Sequence, residues 1–319
     1  MANLRLFAGR ANPPLARKIS DYLGMSLGQV RIEAFPDGEL MVKLEEDIRG
    51  KDVFIIQPTC HPVEGSMMEL LIFLDCARRA SAKRITAVVS YFGYARQDRK
   101  DEGRTPITAK LAANLIAAAG ANRVLTLDLH AAQIQGFFDI PVDNLMAEPV
   151  LSQHFLQQKL ENLVLVSPDI GNAKRARVYA ERLGGDLAII DKRRVTSERV
   201  EVSNIIGDVK DKTVVMMDDM VTTAGTFCSA AELCKKRGAK RITIGATHAV
   251  LCDPAPQQLR DAPIDEVVVT DSIPISQEKL DMIGKVKVLS VSRLMGEAIR
   301  RIHNDESVSS LFLTEGNHK

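Results

Sequence analysis

The sequence predicts an α/β fold built from two tandem copies of one unit, each a mainly parallel sheet flanked by helices. Three observations carry this. Short apolar runs alternate with helical patterns along most of the 319 residues, the arrangement of βαβ units joined by right-handed crossovers. LFAGRANPPLARKISDYLG at 6–24 lines up without gaps on VSPDIGNAKRARVYAERLG at 166–184, sharing Asn12 with Asn172, Ala16 with Ala176, Arg17 with Arg177 and the closing Leu-Gly. AKRIT at 82–86 returns letter for letter at 239–243, each time at the start of an apolar run. Repeats in the same order at nearly the same offset point to a duplicated unit rather than to chance.

In the first copy LRLF precedes a helix at 14–23, VFII one at 67–80, and ITAVVS one at 107–119. The copies divide near Glu148 and Pro149, giving domains 1–148 and 149–319, with the last helix, 293–303, placed to cross back onto the first domain. In the second copy VVMM at 214–217 reads as a short buried strand. Asp218 and Asp219 follow it, and Thr222, Thr223, Ala224, Gly225 and Thr226 then open a helix. Short side chains let successive backbone N–H groups close on a phosphate at a helix N-terminus, where the helix dipole favours negative charge. Two carboxylates beside such a loop suit the hydroxyls of a sugar or a hydrated Mg²⁺ rather than the phosphate itself. The ligand this pattern fits is a sugar phosphate. The first copy has QPTCHPVEGS at 57–66 in the corresponding place, with no acidic pair, so only the second copy carries such a loop.

Lysine and arginine total 42 against 41 acids, so no global field recruits nucleic acid or an anionic membrane. A hydrophobic content of 45% with 26% charged residues is that of a soluble globular protein. Cys60, Cys76, Cys228, Cys234 and Cys252 form no C-x-x-C pair, which fits a reducing cytoplasm. No apolar run approaches a membrane span and the N-terminus has no cleavage signal.

Four further stretches carry chemistry. FPDGE sets Phe35, Asp37 and Glu39 around Gly38; its plain reading is a surface turn, and its functional reading stacks Phe35 on a purine while the acids take hydrogen bonds from amino or ribose groups. YFGYARQDRK gathers Arg96, Gln97, Arg99 and Lys100 after a strand; arginine's planar fork suits phosphate oxygens, against a solvated charge run as the alternative. VLTLDLH ends a buried strand in Asp128 and His130, on one side at period two, and SPD ends the next in Asp169. His130 and Asp169 at carboxyl strand ends form a candidate Mg²⁺ pair. IIDKRRVTSERV brings Lys192, Arg193 and Arg194 directly after an apolar strand, where a cationic junction able to close would neutralise charge developing in phosphoryl transfer.

DDMVTTAGT resembles the ribose-phosphate loop of phosphoribosyltransferases and of ribose-phosphate pyrophosphokinase. FPDGE, YFGYARQDRK, PITAK, DLHAAQIQGFFDIP, SPDIG, DKRR and DDMVTTAGT occur in the order seen in the second family, and the terminal ESVSSLF resembles its end. The resemblance covers essentially the whole chain and implies two tandem phosphoribosyltransferase-like domains. It implies an enzyme transferring the diphosphoryl group of ATP to the 1-hydroxyl of ribose 5-phosphate, with Mg²⁺ as cofactor, in a cytoplasmic homohexamer built from dimers. By the same resemblance, Phe35, Asp37, Gly38, Glu39, Arg96 and Gln97 bind ATP, and His130 and Asp169 bind the metal. Lys192 and Arg194 are catalytic, with Arg194, Asp218, Asp219 and Thr222, Thr223, Ala224, Gly225 and Thr226 binding ribose 5-phosphate. No G-x-x-x-x-G-K-[ST] segment is present, so ATP is not held by a P-loop. Two positions depart from the family. Thr222 stands where Asp is usual, which bears on ribose 5-phosphate affinity and magnesium dependence. Glu102 lies in a loop that is basic in many relatives, which bears on control by ADP and phosphate. A phosphoribosyltransferase and a catalytically silent regulatory subunit stand as the alternatives.

Overall fold

The computed structural model describes residues 3–169, 171–196 and 199–311, and for 192–196 and 199–203 the backbone alone. The described residues fall into two compact units, one within 3–146 with 272–274 and 290–311, the other within 147–271 with 275–289. The division thus lies at Met146/Ala147, and the chain from Ser290 onward counts with the first unit.

The first unit runs β1 (Leu4–Ala8), α1 (Pro13–Leu23), β2 (Val30–Ala34), β3 (Leu40–Leu44), β4 (Asp52–Ile56), α2 (Val63–Arg79), β5 (Arg84–Val89), α3 (Thr108–Ala119), β6 (Arg123–Leu127) and β7 (Val142–Leu145). Five strands make a parallel sheet in the order β1-β4-β5-β6-β7, and β2 with β3 makes a separate antiparallel hairpin. Every residue of β4 is buried, as expected of an inner parallel strand covered on both faces. Helix α1 begins where Asn12 Oδ1 accepts the Leu15 N–H at 3.2 Å and two prolines occupy the first turn; it ends at Gly24, whose φ of 64° places it in the left-handed region.

The second unit runs α4 (Glu148–Gln158), β8 (Leu163–Ser167), α5 (Ala173–Leu183), β9 (Asp186–Thr196), β10 (Arg199–Ile206), β11 (Thr213–Val221), α6 (Gly225–Lys236), β12 (Arg241–Ala249), α7 (Ala255–Asp261), β13 (Glu266–Thr270), α8 (Gln277–Ile283) and β14 (Val286–Leu289). Its sheet has the order β10-β9-β8-β11-β12-β13-β14, parallel except for the β9–β10 pair. The order β8-β11-β12-β13-β14 repeats β1-β4-β5-β6-β7, and the β9–β10 hairpin answers β2–β3. In the second copy the hairpin has joined the sheet.

Duplication extends to detail. Ile85 donates its N–H to Asn122 Oδ1 at 2.8 Å, and Ile242 donates to Asp265 Oδ2 at 2.7 Å. The next residue in each copy, Thr86 and Thr243, is fully buried and its hydroxyl has no partner. One correction to the gapless alignment follows from the elements. Leu4 corresponds to Leu163 as the start of a strand, but Pro13 corresponds to Ala173 as the start of a helix, so the loop 168–172 is one residue longer than 9–12.

The last helix, α9 (Ser292–His303), buries Met295, Ala298, Ile299 and Ile302 and packs on α1. A Cβ at Gly296 would lie 2.5 Å from the Tyr22 ring, so only glycine permits this approach. Its end is fixed by buried Asp52, which accepts Arg84 Nε at 2.8 Å and meets His303 Nδ1 at 2.8 Å, while Arg84 Nη2 also reaches the Ile302 carbonyl.

Candidate active site

In the second unit β8 and β11 run parallel and side by side, paired from Thr213↔Leu163 to Val215↔Leu165. β11 runs past the apolar residues to Val221, so Asp218 and Asp219 sit inside the strand rather than after it, as its pairing with β12 continues through Asp218↔Ala246 and Met220↔His248. Asp219 is 4% exposed and its N–H donates to Asp218 Oδ1 at 2.8 Å. Burial above all, then the hydrogen bond and charge of Asp219, pushes Asp218 up to about 7, against the opposing charge of Arg175. Arg175 Nη2 stands 4.0 Å from Asp219 Oδ1, projecting from the first turn of α5.

Beyond β11 the chain bends at Thr222 and Thr223 and enters α6 through Ala224, in the left-handed region at φ 65°. No side chain caps this helix, and the N–H groups of a first helical turn have no acceptor inside the helix. A Cβ added at Gly225 meets nothing nearer than Gln258 Oε1 at 4.0 Å, so the glycine leaves open space over those N–H groups. Thr223 and Thr226 are exposed beside it.

Asp169 follows β8. Its Oδ1 accepts the Asn172 N–H at 2.9 Å, and its carbonyl accepts Ser167 Oγ at 2.6 Å. Asn172 Nδ2 in turn donates to the Met217 carbonyl at 2.8 Å. The structure therefore brings Asp169, Asp218, Asp219 and the 222–226 loop to one end of one sheet.

Lys192 and Arg194 lie within β9, opposite Val202 and Val200 of β10. This corrects the reading of a strand-to-loop junction: antiparallel pairing with β10 carries the strand on to Thr196. β9 pairs with β8 only as far as Ile189, so the hairpin projects past the end of β8, on the side where Asp169 lies. The side chains of Lys192 and Arg194 are outside the described residues.

In the first unit the corresponding corner is filled. Glu69, 3% exposed, accepts the Arg10 N–H at 2.6 Å and Arg10 Nε at 2.7 Å, and Gln57 Oε1 accepts the Ala11 N–H at 3.2 Å. A Cβ at Gly9 would fall 2.1 Å from Gln57 Oε1 and 2.8 Å from Glu69 Oε1. An internal carboxylate and amide thus occupy the end of β1 and β4, where the second unit keeps Asp169, Asp218 and open space.

The first unit's other motifs gather at β5 and β6. Arg96 and Gln97 are exposed on a loop anchored by buried Phe92, Ala95 and Asp98. Gln97 accepts the Thr108 hydroxyl at 2.5 Å, and Gly93 N–H donates to Thr59 Oγ1 at 2.7 Å. Asp98 Oδ2 accepts Gln133 Nε2 at 2.8 Å, tying this loop to the one that carries exposed His130. Asp128 and His130 do not share a side: β6 stops at Leu127, Asp128 has a left-handed φ of 41°, and Asp128 is buried while His130 is exposed. Phe35, 51% exposed, Asp37, Gly38 and Glu39 form the tip of the β2–β3 hairpin, closed by Gly38 at φ 93° and by Glu39 N–H to Asp37 Oδ1 at 3.1 Å. His130 belongs to the first unit and Asp169 to the second. Asn172, Arg175, Asp98 and Glu69 were not singled out from sequence; only the match of Asn172 to Asn12 in the repeat marked one of them.

Fold and site together define an open-sheet α/β protein, present twice in one chain, with its candidate ligand loops beyond the carboxyl ends of parallel strands. Residues 4–120 match the N-terminal domain of ribose phosphate pyrophosphokinase, and 194–313 match the phosphoribosyl synthetase-associated domain. The ribose-phosphate pyrophosphokinase of Rhodopirellula baltica is 56% identical over 98% of this chain and 99% of its own, and that of Haemophilus influenzae is 53% identical over 98% and 100%. The crystal structure of phosphoribosylpyrophosphate synthetase from Mycobacterium smegmatis superposes with a TM-score of 0.88 at 41% identity, covering 95% of this chain and 99% of that one. The chain belongs to the ribose-phosphate pyrophosphokinase family. No helix among the described residues is long and apolar enough to cross a membrane.

Proposed function

We propose that the chain transfers the β,γ-diphosphoryl group of ATP to the 1-hydroxyl of ribose 5-phosphate, giving 5-phosphoribosyl 1-diphosphate and AMP for nucleotide, histidine and tryptophan biosynthesis. The reading is carried by the extent of the likeness: a ribose-phosphate pyrophosphokinase matches at 56% identity over 98% of the chain, both copies included. A phosphoribosyltransferase would use the second unit's loop and leave the first unit's motifs without a role.

The 1-hydroxyl oxygen bonds to the β-phosphorus as the bond from that phosphorus to the oxygen bridging it to the α-phosphate breaks. Alignment and charge stabilisation carry most of such a reaction. In the second unit, N–H groups of the 222–226 loop hold the 5-phosphate, and Asp218 and Asp219 accept hydrogen bonds from ribose hydroxyls. Those hydroxyls would add donors to the one backbone N–H, that of Asp219, which Asp218 Oδ1 already accepts. In the first unit, Arg96 and Gln97 meet base or phosphates, and the Phe35, Asp37, Gly38 and Glu39 turn serves adenosine. Lys192 and Arg194 neutralise charge on the moving diphosphoryl group.

Mg²⁺ fits the donors present. Asp169, in the second unit, offers the hard oxygens that suit Mg²⁺, with Oδ1 steadied by Asn172 and Oδ2 without a partner among the described residues; the other expected ligand, His130, is exposed in the first unit. Among the described residues no three such groups are gathered, so the ion would complete its shell with water and substrate phosphates, its usual habit. When bound it supplies charge neutralisation across those phosphates. The assembly belongs to the same proposal, a cytoplasmic homohexamer built from dimers, and sedimentation velocity tests it, since a monomer contradicts it.

The reaction is tested by following nucleotide products from ATP and Mg²⁺ with and without ribose 5-phosphate. AMP that forms only with the sugar phosphate supports the proposal. ADP in its place contradicts it, and no product at all favours the silent regulatory subunit, for which Thr222 is the one sequence feature.

A further inference from the structure

We propose that Asn172 is a positioning residue for ribose 5-phosphate, holding the Asp169 loop and the Asp218–Asp219 strand in fixed register without touching substrate; this rests on the functional reading above. The same residue type opens the first helix of each copy, and the two do different things. Asn12, with φ −150°, spends Oδ1 on its own helix by accepting the Leu15 N–H at 3.2 Å, while its Nδ2 donates to the Ser272 carbonyl at 3.4 Å. Asn172 has φ −91° and ψ 0°, and makes no cap bond to its helix. Its side chain crosses 45 residues of sequence to donate Nδ2 to the Met217 carbonyl at 2.8 Å, immediately before Asp218. Its backbone N–H meanwhile holds Asp169 Oδ1 at 2.9 Å.

This arrangement is unfavourable for the amide alone. Asn172 is 9% exposed, and Oδ1 is buried with no hydrogen-bond partner. A buried acceptor left unmade is a cost that a cap bond like that of Asn12 would remove. The amide cannot simply turn over, because Oδ1 would then face the Met217 carbonyl. One residue therefore joins the two segments bearing the three site carboxylates, one bond to each, at the expense of its own satisfaction. Such a tether fixes the separation between Asp169, the proposed metal-binding carboxylate, and the Asp218–Asp219 pair proposed to meet the sugar hydroxyls, and small misplacements in such a site are costly.

The test compares wild type with Asn172→Ala and Asn172→Asp. Alanine removes the donor and the orphaned acceptor together, so thermal stability changes little. Aspartate keeps the shape and replaces the donor to Met217 with an acceptor, which covers the case in which the alanine variant folds poorly. Both variants are expected to raise KM for ribose 5-phosphate at least about fivefold while KM for ATP stays within about twofold. Ribose 5-phosphate binding, followed by calorimetry with Mg²⁺ and a non-hydrolysable ATP analogue, should weaken by the same factor. Asn12→Ala is the matched control: it should lower the thermal midpoint through its lost cap and leave both KM values in place. An Asn172 effect shared equally by the two substrates, or seen in stability alone, overturns the proposal. A wild-type chain that forms no AMP defeats the functional reading instead, and does so before any variant is compared.

Discussion

Asp219 donates its backbone N–H to the side chain of Asp218 at 2.8 Å, with Asp219 buried and Asp218 half-buried in the last part of β11. Asp218, pushed up to about 7 from 3.8 chiefly by burial, keeps its proton in the folded chain at pH values where an unfolded carboxyl has lost it. The folded state then binds more protons than the unfolded one between those two values. The stability this contributes is complete below the unfolded value and is lost as pH rises through about 7. Without ligand, wild type should therefore lose more thermal stability than Asp218→Asn as pH is raised from about 5 to about 8. The KM for ribose 5-phosphate should fall over the upper part of that range in wild type alone. Parallel curves for the two proteins, in stability and in KM, would remove the carboxyl of Asp218 from both accounts.

Gly225 separates a glycine needed for folding from one needed for binding. Its added Cβ meets no atom closer than 4.0 Å, so alanine fits and, at the start of α6, favours the helix. The thermal midpoint of Gly225→Ala should stay level or rise, while KM for ribose 5-phosphate increases at least about tenfold, a loss of about 1.4 kcal/mol, because the methyl group fills the approach to the first-turn N–H groups. A variant with normal kinetics would move the phosphate away from this turn.

Glu69 gives the opposite expectation. Its side chain is 4% exposed and that of Arg10 is 52% exposed, so the ion pair is buried at one end only. Glu69→Ala should destabilise the protein by about 1–2 kcal/mol, a value discounted for the exposed arginine. It should leave KM for ribose 5-phosphate unchanged, because the residue fills the first copy's corner. Chemical denaturation and steady-state kinetics on the same preparation check both halves of the statement.

Thr86 and Thr243, equivalent in the repeat, bury hydroxyls without partners. Valine has the same shape and fits a strand better. Each Thr→Val change should stabilise by about 1 kcal/mol, or about 2–4 °C in thermal midpoint. A fall in either midpoint would mean that an ordered water satisfies the hydroxyl.

The elements, the duplication and the second copy's loop were legible because they rest on local signals. Apolar runs, Gly24 and Gly184 at helix ends, and the short residues of 222–226 each state their conformation within a few positions of sequence. What pairs with what was not legible. Asp128 sits in a sequence that reads as a continuing strand, yet its left-handed backbone turns His130 away from it. Lys192 and Arg194 follow an apolar run, and only the partner strand β10 shows that β9 continues through them. Glu69 reads as one more helical acid until Arg10 is found against it, 59 residues away in sequence. Asn12 and Asn172 are the same letter at matching places, and only the structure shows that Asn12 Oδ1 caps its helix while Asn172 makes no cap and reaches the strand before Asp218.

The central claim is that one of two copies, the second, keeps the sugar-phosphate cradle, and the number of ribose 5-phosphate molecules bound per chain tests it most directly. Calorimetric titration with Mg²⁺ and a non-hydrolysable ATP analogue present should give a single site per chain in wild type, retained in Glu69→Ala and lost or greatly weakened in Gly225→Ala. Two sites per chain, or full binding by Gly225→Ala, would contradict the account.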